Sequence, residues 1–296
     1  MRNLLYSSAL LVALLLSGCR QNVTFIVASD LHFNGTPEKA AIFDTVTQMM
    51  NNSVKFVSDS SGIKIKKPFG VFLTGDITES GTAEQWEQYK SAFGLNGEGP
   101  LKYPVYETFG NHDGNSDGIV RTDIRERNKL RKGVTMLSEN GLHYAIKRNG
   151  YLFIVLGSYP ADVWDPTCEW CHYFKETFRE PEGSLTFLEN VLKENKEGKN
   201  LPVFLMFHYG WDGFSKLWWT EGEQTRFHDA LEGTRVETIF HGHDHAVEAY
   251  KWEGIDVVSS GSPQHGLKTG EFLIVEAGKK GRKIYVANKS GVRILN

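Results

Sequence analysis

Five short polar clusters in the sequence contain the residue types that bind metal ions. They hold carboxylates, imidazoles and a carboxamide, and none of them contains a cysteine. Carboxylate and imidazole together suit Mn, Fe or Zn, with no thiolate to favour zinc or an iron–sulfur cluster. In chain order the clusters are Asp30-Leu31-His32, Gly75-Asp76, Gly110-Asn111-His112-Asp113, His208 and Gly242-His243-Asp244-His245.

The spacing within these clusters favours convergence on a common point. Asp30 and His32 are two positions apart, and so are His243 and His245. Residues two apart in an extended segment point the same way, so each pair can reach one ion. The glycines of three clusters allow sharp turns and close backbone approach. A lone histidine such as His208 is more typical of a hydrogen-bonded core residue, but the set as a whole predicts a metal site.

Each cluster follows a segment that we predict to be a buried strand. Open α/β sheets place their ligand sites outside the carboxyl ends of the strands, where all five clusters would lie. The predicted strands are residues 23–28, 69–73, 105–108, 202–207 and 236–240. Residues 39–50, 82–93, 119–131, 184–197 and 223–231 have the pattern of helices between them.

The rest of the chain adds antiparallel strands. Residues 142–148 and 151–156 flank Asn149-Gly150, the strongest short hairpin signal. Four further strands are predicted at 247–252, 255–259, 272–276 and 283–288. Residues 51–67 are polar and basic, which predicts a surface excursion; its Lys64, Lys66 and Lys67 belong either to a solvated loop or to a surface that meets anionic lipid. The whole pattern predicts an α/β fold of two packed mixed sheets with helices outside.

Length and charge bound the class of protein. The chain has 296 residues and a formal net charge of −3, so no basic field indicates nucleic acid as a partner. We find no repeat and no interdomain linker. Residues 19–296 are therefore predicted to form a single domain.

The first eighteen residues have the layout of a secretory signal peptide. A positive charge at Arg2 precedes an apolar run over residues 4–16, which is short for a membrane span. Leu16-Ser17-Gly18-Cys19 resembles the bacterial lipobox, in which the peptide is cut before a cysteine that carries lipid; the alternative is an ordinary signal peptide ending near a cysteine. We expect an exported lipoprotein, anchored to a membrane through Cys19 and facing the periplasm or the cell exterior.

Cys168 and Cys171 are the other cysteines of the chain. In an exported protein such a pair is often oxidised. A thioredoxin-type redox motif would need a strand before it and a helix opening at it, whereas this pair lies in a segment rich in Trp and Pro. A structural staple of a loop is the favoured interpretation, and a redox protein working through the pair is the alternative.

The five clusters together resemble the signature of the calcineurin-like metallophosphoesterases, over the chain from residue 23 to at least 245. That resemblance implies a four-layer α/β/β/α sandwich of two mixed β-sheets flanked by helices. It also implies that one metal binds Asp30, His32 and His245, a second binds Asn111, His208 and His243, and Asp76 bridges them. His112 would protonate the leaving group. Purple acid phosphatases of this superfamily have a tyrosine where this chain has Glu79, so a purple iron centre is not expected.

The expected reaction is hydrolysis of a small phosphate ester by a hydroxide that two transition-metal ions hold between them. Such ions lower the pKa of bound water from about 15.7 to about 7 when the metal is zinc. A phosphatase is slightly favoured over a phosphodiesterase that acts on nucleotides or phospholipid headgroups, and an inactive metal-stabilised scaffold is a further alternative. Asp113 either orients the His112 imidazole or is only a structural residue of the turn.

Aromatic residues after His208 bear on the substrate. Tyr209 and Trp211 are predicted to form a wall that stacks on a base, sugar or lipid headgroup. The alternative is that these side chains only pack the loops around the site.

Overall fold

The computed structural model describes residues 21–164, 180–211, 219–267 and 270–295. These residues form six α-helices, a short 3₁₀ turn at Asn111–Asp113 and thirteen β-strands. The helices are α1 (Pro37–Asn51), α2 (Ser53–Ser61), α3 (Ala83–Phe93), α4 (Ile119–Leu130), α5 (Ser184–Glu197) and α6 (Glu221–Leu231). The strands are β1 (Val23–Ala28), β2 (Val71–Leu73), β3 (Val105–Glu107), β4 (Val134–Leu137), β5 (Tyr144–Arg148), β6 (Tyr151–Val155), β7 (Val203–Met206), β8 (Val236–His241), β9 (Ala249–Trp252), β10 (Ile255–Ser259), β11 (Phe272–Gly278), β12 (Gly281–Asn288) and β13 (Gly291–Leu295).

Two mixed sheets contain all thirteen strands. The first has the order β13-β12-β11-β1-β2-β3, and the second β4-β5-β6-β7-β8-β10-β9. In the first sheet β1, β2 and β3 are parallel, and β11 to β13 continue it antiparallel. In the second, β6, β7, β8 and β10 are parallel, with antiparallel strands at both edges. Within each sheet, the carboxyl ends of the parallel strands therefore lie side by side at the same end of the strands.

Three apolar layers hold the sandwich together. The middle layer lies between the sheets, where the Phe25 ring meets Phe72, Phe153 and Phe204 at centroid distances of 5.2–5.5 Å. The first sheet buries its other face with residues of α1, α3 and α4, and the second with residues of α5 and α6. Strands buried on both faces are apolar along nearly their whole length, as in β6 and in β1, where Thr24 is the one polar residue. The predicted α/β/β/α architecture is confirmed.

Local signals account for the starts of several helices. The Thr36 side chain accepts a hydrogen bond from the backbone N–H of Lys39 at the start of α1, and Thr220 with Glu223 forms a capping box at α6. The prediction of a surface excursion over residues 51–67 was wrong in part. Helix α2 lies within it, and its Val57 is buried in the apolar layer outside the first sheet, with Val54 and Phe56 packed against the same layer.

Several predictions fall outside the described residues. These are the signal peptide at residues 1–18, the acylated Cys19, and the Cys168 and Cys171 pair. Among the helices that the structure describes, none is both long and apolar enough to cross a bilayer.

Candidate metal centre

The five polar clusters meet at one end of the sandwich. Asp30 follows β1, Asp76 follows β2 and Asn111 follows β3 in the first sheet, while His208 follows β7 and His243 follows β8 in the second. All five strands are parallel members of their sheets, so their carboxyl ends face the same way. The seven residues predicted as ligands are thus brought together from both sheets.

Asp30, His32 and His245 form the first group. One ligand atom of each lies within 4.8 Å of the others. The Nε2 atoms of His32 and His245 are 3.1 Å apart, and His245 Nε2 is 3.5 Å from Asp30 Oδ1. Two imidazole nitrogens and a carboxylate oxygen therefore point into a common space.

Asp76, His208 and His243 form the second group, again within 4.8 Å. His208 Nε2 lies 3.2 Å from Asp76 Oδ2 and 3.2 Å from the amide oxygen of Asn111. Its Nδ1 lies 2.8 Å from the Thr74 carbonyl oxygen, which fixes the ring with Nε2 toward the site.

Asp76 stands between the two groups. Its Oδ2 atom is 3.2 Å from His208 Nε2 and 3.9 Å from His32 Nε2. Its Oδ1 atom accepts a hydrogen bond of 2.9 Å from the backbone N–H of His112. One oxygen of this carboxylate can therefore serve both groups while the other is held by the neighbouring turn.

Two glycines permit the close approach of these loops. A Cβ atom on Gly110 would collide with Asp76 Oδ1 and would lie 2.6 Å from His208 Nε2. A Cβ on Gly242 would collide with the Ser29 hydroxyl and lie 2.7 Å from Asp30 Oδ2. At Gly110 and Gly242 a glycine is therefore required by space rather than by backbone conformation.

Strained backbone is concentrated at the centre. Asp30, His32, Asp76, His243 and His245 all have φ between 48° and 79°. Non-glycine residues adopt this left-handed region rarely, although Asp and His do so more readily than most, and each instance costs on the order of 1–3 kcal/mol. Such a cost, paid at five converging side chains, is typical of a functional site.

The electrostatics of the centre favour a bound cation. Burial lowers the pKa of His208, but the Asp76 carboxylate more than offsets it, and the pKa rises to about 9. Burial raises the pKa of Asp30 to about 7 and lowers that of His32 to about 3, so that His32 is a neutral imidazole at neutral pH. The negative field that attracts a proton to His208 would attract a metal cation equally.

His112 lies at the rim of the first group. Its ring centroid is 4.7 Å from that of His32, and its Nδ1 lies 2.7 Å from the Glu79 carbonyl oxygen. Burial lowers the pKa of His112, but the charges of Asp76 and Glu79 and the hydrogen bond to Glu79 leave it above its ordinary value. The imidazole faces the first group, and its raised pKa favours the protonated form.

Asp113 does not touch the His112 ring. Its buried carboxylate accepts hydrogen bonds from the backbone N–H groups of Gly110, Ile77 and Thr78 and from the Thr78 hydroxyl, at 2.8–3.1 Å. It thereby ties the loop after β3 to the loop after β2. The structure favours the turn interpretation of Asp113 over the catalytic one.

Two further residues support ligands and were missed from the sequence as functional. The Glu79 carboxylate lies 3.1 Å from His32 Nδ1, and the side-chain amide of Gln264 lies 2.9 Å from His245 Nδ1. Glu79 is three residues past Asp76 and could have been suspected from that proximity. Gln264 has no sequence signal, since only the folded loop brings it to His245.

Tyr209 and Trp211, which the sequence predicts to form a substrate wall, both pack against other rings. Tyr209 is 0% exposed, and its ring lies 5.0 Å from those of His208 and His243. The Trp211 ring stacks on Trp252 at 4.1 Å. Tyr209 packs against two ligand rings and Trp211 packs in the apolar layer outside the second sheet, contacts that favour the packing alternative for both.

The donor set fits two transition-metal ions. It combines imidazoles, buried carboxylates and one amide oxygen, which suits Mn, Fe or Zn and offers no thiolate. The outer atoms of His208, His32 and His245 meet a carbonyl, a carboxylate and an amide, the partners that orient metal-binding histidines.

Comparisons with known proteins agree with this geometry. The model of the calcineurin-like phosphoesterase family matches residues 23–247. The structure is similar to a dimetal phosphatase of Danio rerio, with a TM-score of 0.59, 12% identity and coverage of 93% of this chain and 98% of the other. It is also similar to GAP50, described as the anchor in the inner membrane complex of Plasmodium, with a TM-score of 0.55, 13% identity and coverage of 93% and 89%. At these identities the likeness shows the fold. No curated protein matches the chain.

Proposed function

The chain belongs to the calcineurin-like phosphoesterase family, and from this membership we propose that it hydrolyses phosphoric esters at a dinuclear metal centre. The observation that carries the proposal is the convergence of two ligand groups on either side of Asp76. The family binds a dinuclear metal site, and this chain retains a complete set of candidate ligands. That retention is the argument against an inactive scaffold.

The proposed ligands divide as the two groups do. Asp30, His32 and His245 would hold one ion, Asn111, His208 and His243 the other, and Asp76 both. When bound, such a pair of ions supplies a water-derived nucleophile at neutral pH and offsets the negative charge of the phosphate. Activity measured with Mn, Fe or Zn added separately would identify the metal.

We assign the proton transfer to His112. The Glu79 carbonyl accepts a hydrogen bond from Nδ1–H, which leaves Nε2 to carry the second proton of the imidazolium. From there Nε2–H would protonate the oxygen of the departing alcohol, a role worth typically 10²–10⁴ in rate. Asp113 would contribute by holding the His112 turn in place.

We propose a small phosphomonoester as the substrate, with a phosphodiester as the alternative. The Danio rerio protein with this fold is described as a dimetal phosphatase, which supports the first choice. A screen of chromogenic mono- and diesters, each with Mn, Zn, Fe or Mg added, tests reaction and substrate class together. Turnover of neither class with any metal would contradict the proposal.

We also propose that Cys19 is acylated and anchors the protein to a membrane outside the cytoplasm. The support is the order of charged, apolar and small residues before Cys19 in the sequence. Cys19→Ala should move the protein from the membrane fraction to the soluble fraction and abolish labelling by a fatty-acid analogue. Label that persists in the variant would show that Cys19 is not the acylation site.

A further inference from the structure

The chain enters the fold at the end of the sandwich that lies opposite the metal centre. Gln21 and Asn22 precede the first residue of β1, and Asp30 follows its last. A strand rises about 3.3 Å per residue, so the six residues of β1 separate the two ends by roughly 20 Å. We call the end at Gln21 the basal end.

Exposed lysines surround the entry point. The turn between β11 and β12 carries Lys279 and Lys280. Gly278, the last residue of β11, lies so close to Asn22 that a Cβ atom on it would collide with the Asn22 side chain. These lysines, together with Lys66 and Lys283, line one groove with Gln21 and Asn22. We define Lys66, Lys279, Lys280 and Lys283 as the basal patch.

The entry point is held against both sheets. The Gln21 N–H donates to the Asn149 carbonyl at 3.3 Å, and the Asn149 side chain donates to the Asn22 carbonyl at 3.1 Å. Asn149 belongs to the turn between β5 and β6 of the second sheet, whereas Gly278 belongs to the first. The basal patch and the entry point therefore keep a defined spacing.

The charges of the basal patch are not used within the fold. In the described part of the chain, none of the four lysine ammonium groups forms a salt bridge. Glu276, the acidic residue of the groove, accepts hydrogen bonds from the Lys66 backbone N–H and the Tyr285 hydroxyl instead. Arg282, by contrast, is paired with Asp256 at 2.7 Å. Four positive charges are thus available to an external partner.

Chain length limits the distance between an acyl anchor and this patch. Gln21 is two residues after Cys19, and two residues span at most about 7 Å in any conformation. A lipid on Cys19 would therefore hold the basal end at the membrane surface. The lysines that border Gln21 would then lie at the level of the lipid headgroups.

We propose that the basal patch docks on the anionic headgroups of the membrane that holds the anchor. This inference rests on the proposed acylation of Cys19 but concerns a separate surface. The tether supplies proximity, and the lysines supply attraction to anionic lipid, which together orient the domain. The metal centre then lies at the end away from the membrane, separated from the basal end by about the length of β1. The substrate is therefore a soluble ester rather than a headgroup of the same membrane.

Lysine footprinting of the full acylated protein tests this docking. The protein is bound to vesicles of phosphatidylcholine, with or without phosphatidylglycerol, and lysines are acetylated briefly and quantified. Lys289 is the internal control, because it is exposed and follows β12 at the opposite end from Lys280. We expect Lys66, Lys279 and Lys280 to be protected relative to Lys289 on the anionic vesicles only. About 1 M salt, where the Debye length is about 3 Å, should remove the protection.

Matched variants separate the patch from the anchor. Lys280→Gln should lower the docking constant about fivefold, Lys279→Gln with Lys280→Gln about 25-fold, and Lys289→Gln not at all. Protein that floats with vesicles while Lys279 and Lys280 react as fast as Lys289 would overturn the docking proposal and leave the anchor intact. If the protein proves unacylated but its basal-patch lysines are still protected on anionic vesicles in a salt-sensitive way, the docking of the patch would be supported without the anchor. Protection of these lysines by a DNA duplex without vesicles would overturn the assignment to lipid.

Discussion

The Nδ1 atom of His112 lies 2.7 Å from the backbone carbonyl oxygen of Glu79, so the ring is oriented by main chain rather than by a carboxylate. His112→Ala should keep the metal content and the fold, because the ligands stay in place. Turnover should fall by about 10²- to 10⁴-fold on an ester with a basic leaving group and much less on one with an acidic leaving group. Loss of metal in this variant would instead make His112 a ligand.

Gln264 should govern the metal affinity of the first group. The side-chain amide nitrogen of Gln264 stands 2.9 Å from His245 Nδ1. For His245 to bind through Nε2, its Nδ1 must carry the proton, and the Gln264 amide must be turned so that its oxygen accepts the hydrogen bond from Nδ1–H. Gln264→Leu removes the acceptor and should weaken one of the two metal sites by about 10- to 100-fold. Gln264→Glu retains an acceptor and should keep the affinity. Equal effects of both variants in a metal-binding titration would refute the positioning role.

His143 should make the protein less stable in acid. Burial lowers the pKa of this fully buried imidazole to about 4, although its hydrogen bond to the Glu182 carbonyl opposes the shift. The unfolded chain, with a pKa of about 6.5, then binds more protons, so the free energy of unfolding decreases as pH falls from about 6.5 to about 4. The loss attributable to this group is roughly 3 kcal/mol.

Denaturant unfolding of the wild type and of His143→Gln across this pH range checks the contribution. The difference between the two free energies of unfolding should change with pH by roughly 3 kcal/mol. Parallel curves over the whole range would show that His143 does not carry this proton linkage.

Trp211 should act on stability rather than on specificity. Its ring stacks on Trp252 and lies 5.9 Å from Phe227, within the apolar layer outside the second sheet. Trp211→Ala should cost roughly 3 kcal/mol and change kcat/KM alike for small and large substrates. Trp252→Ala, which removes the stacking partner, is the matched control. A loss of kcat/KM on large substrates alone, at unchanged melting temperature, would instead support the interpretation of Trp211 as part of a substrate wall.

The sequence predicts the parts of the fold that are buried most completely. The apolar runs of β1 and β7 and the Asn149-Gly150 turn, with φ of 51° and 82°, all follow from local pattern. The edge strands β4 and β13 were missed, because every residue of both strands is at least partly exposed and their apolar pattern is weak. Polar residues just after predicted strands indicate where a site lies. The hydrogen-bond partners of those residues depend on tertiary contacts, which local sequence pattern does not predict. That is why the role of Asp113 could not be decided from the sequence, and why the contact of Gln264 with His245 could not be predicted.

Metal content measured together with activity tests the central claim most directly. Protein stripped by a chelator should lose phosphoesterase turnover and regain it on titration with Mn, Zn or Fe. The account predicts that recovery saturates at two ions per chain, because Asp76 stands between two complete ligand groups. Full activity in the stripped protein, or saturation at one ion, would contradict the dinuclear centre.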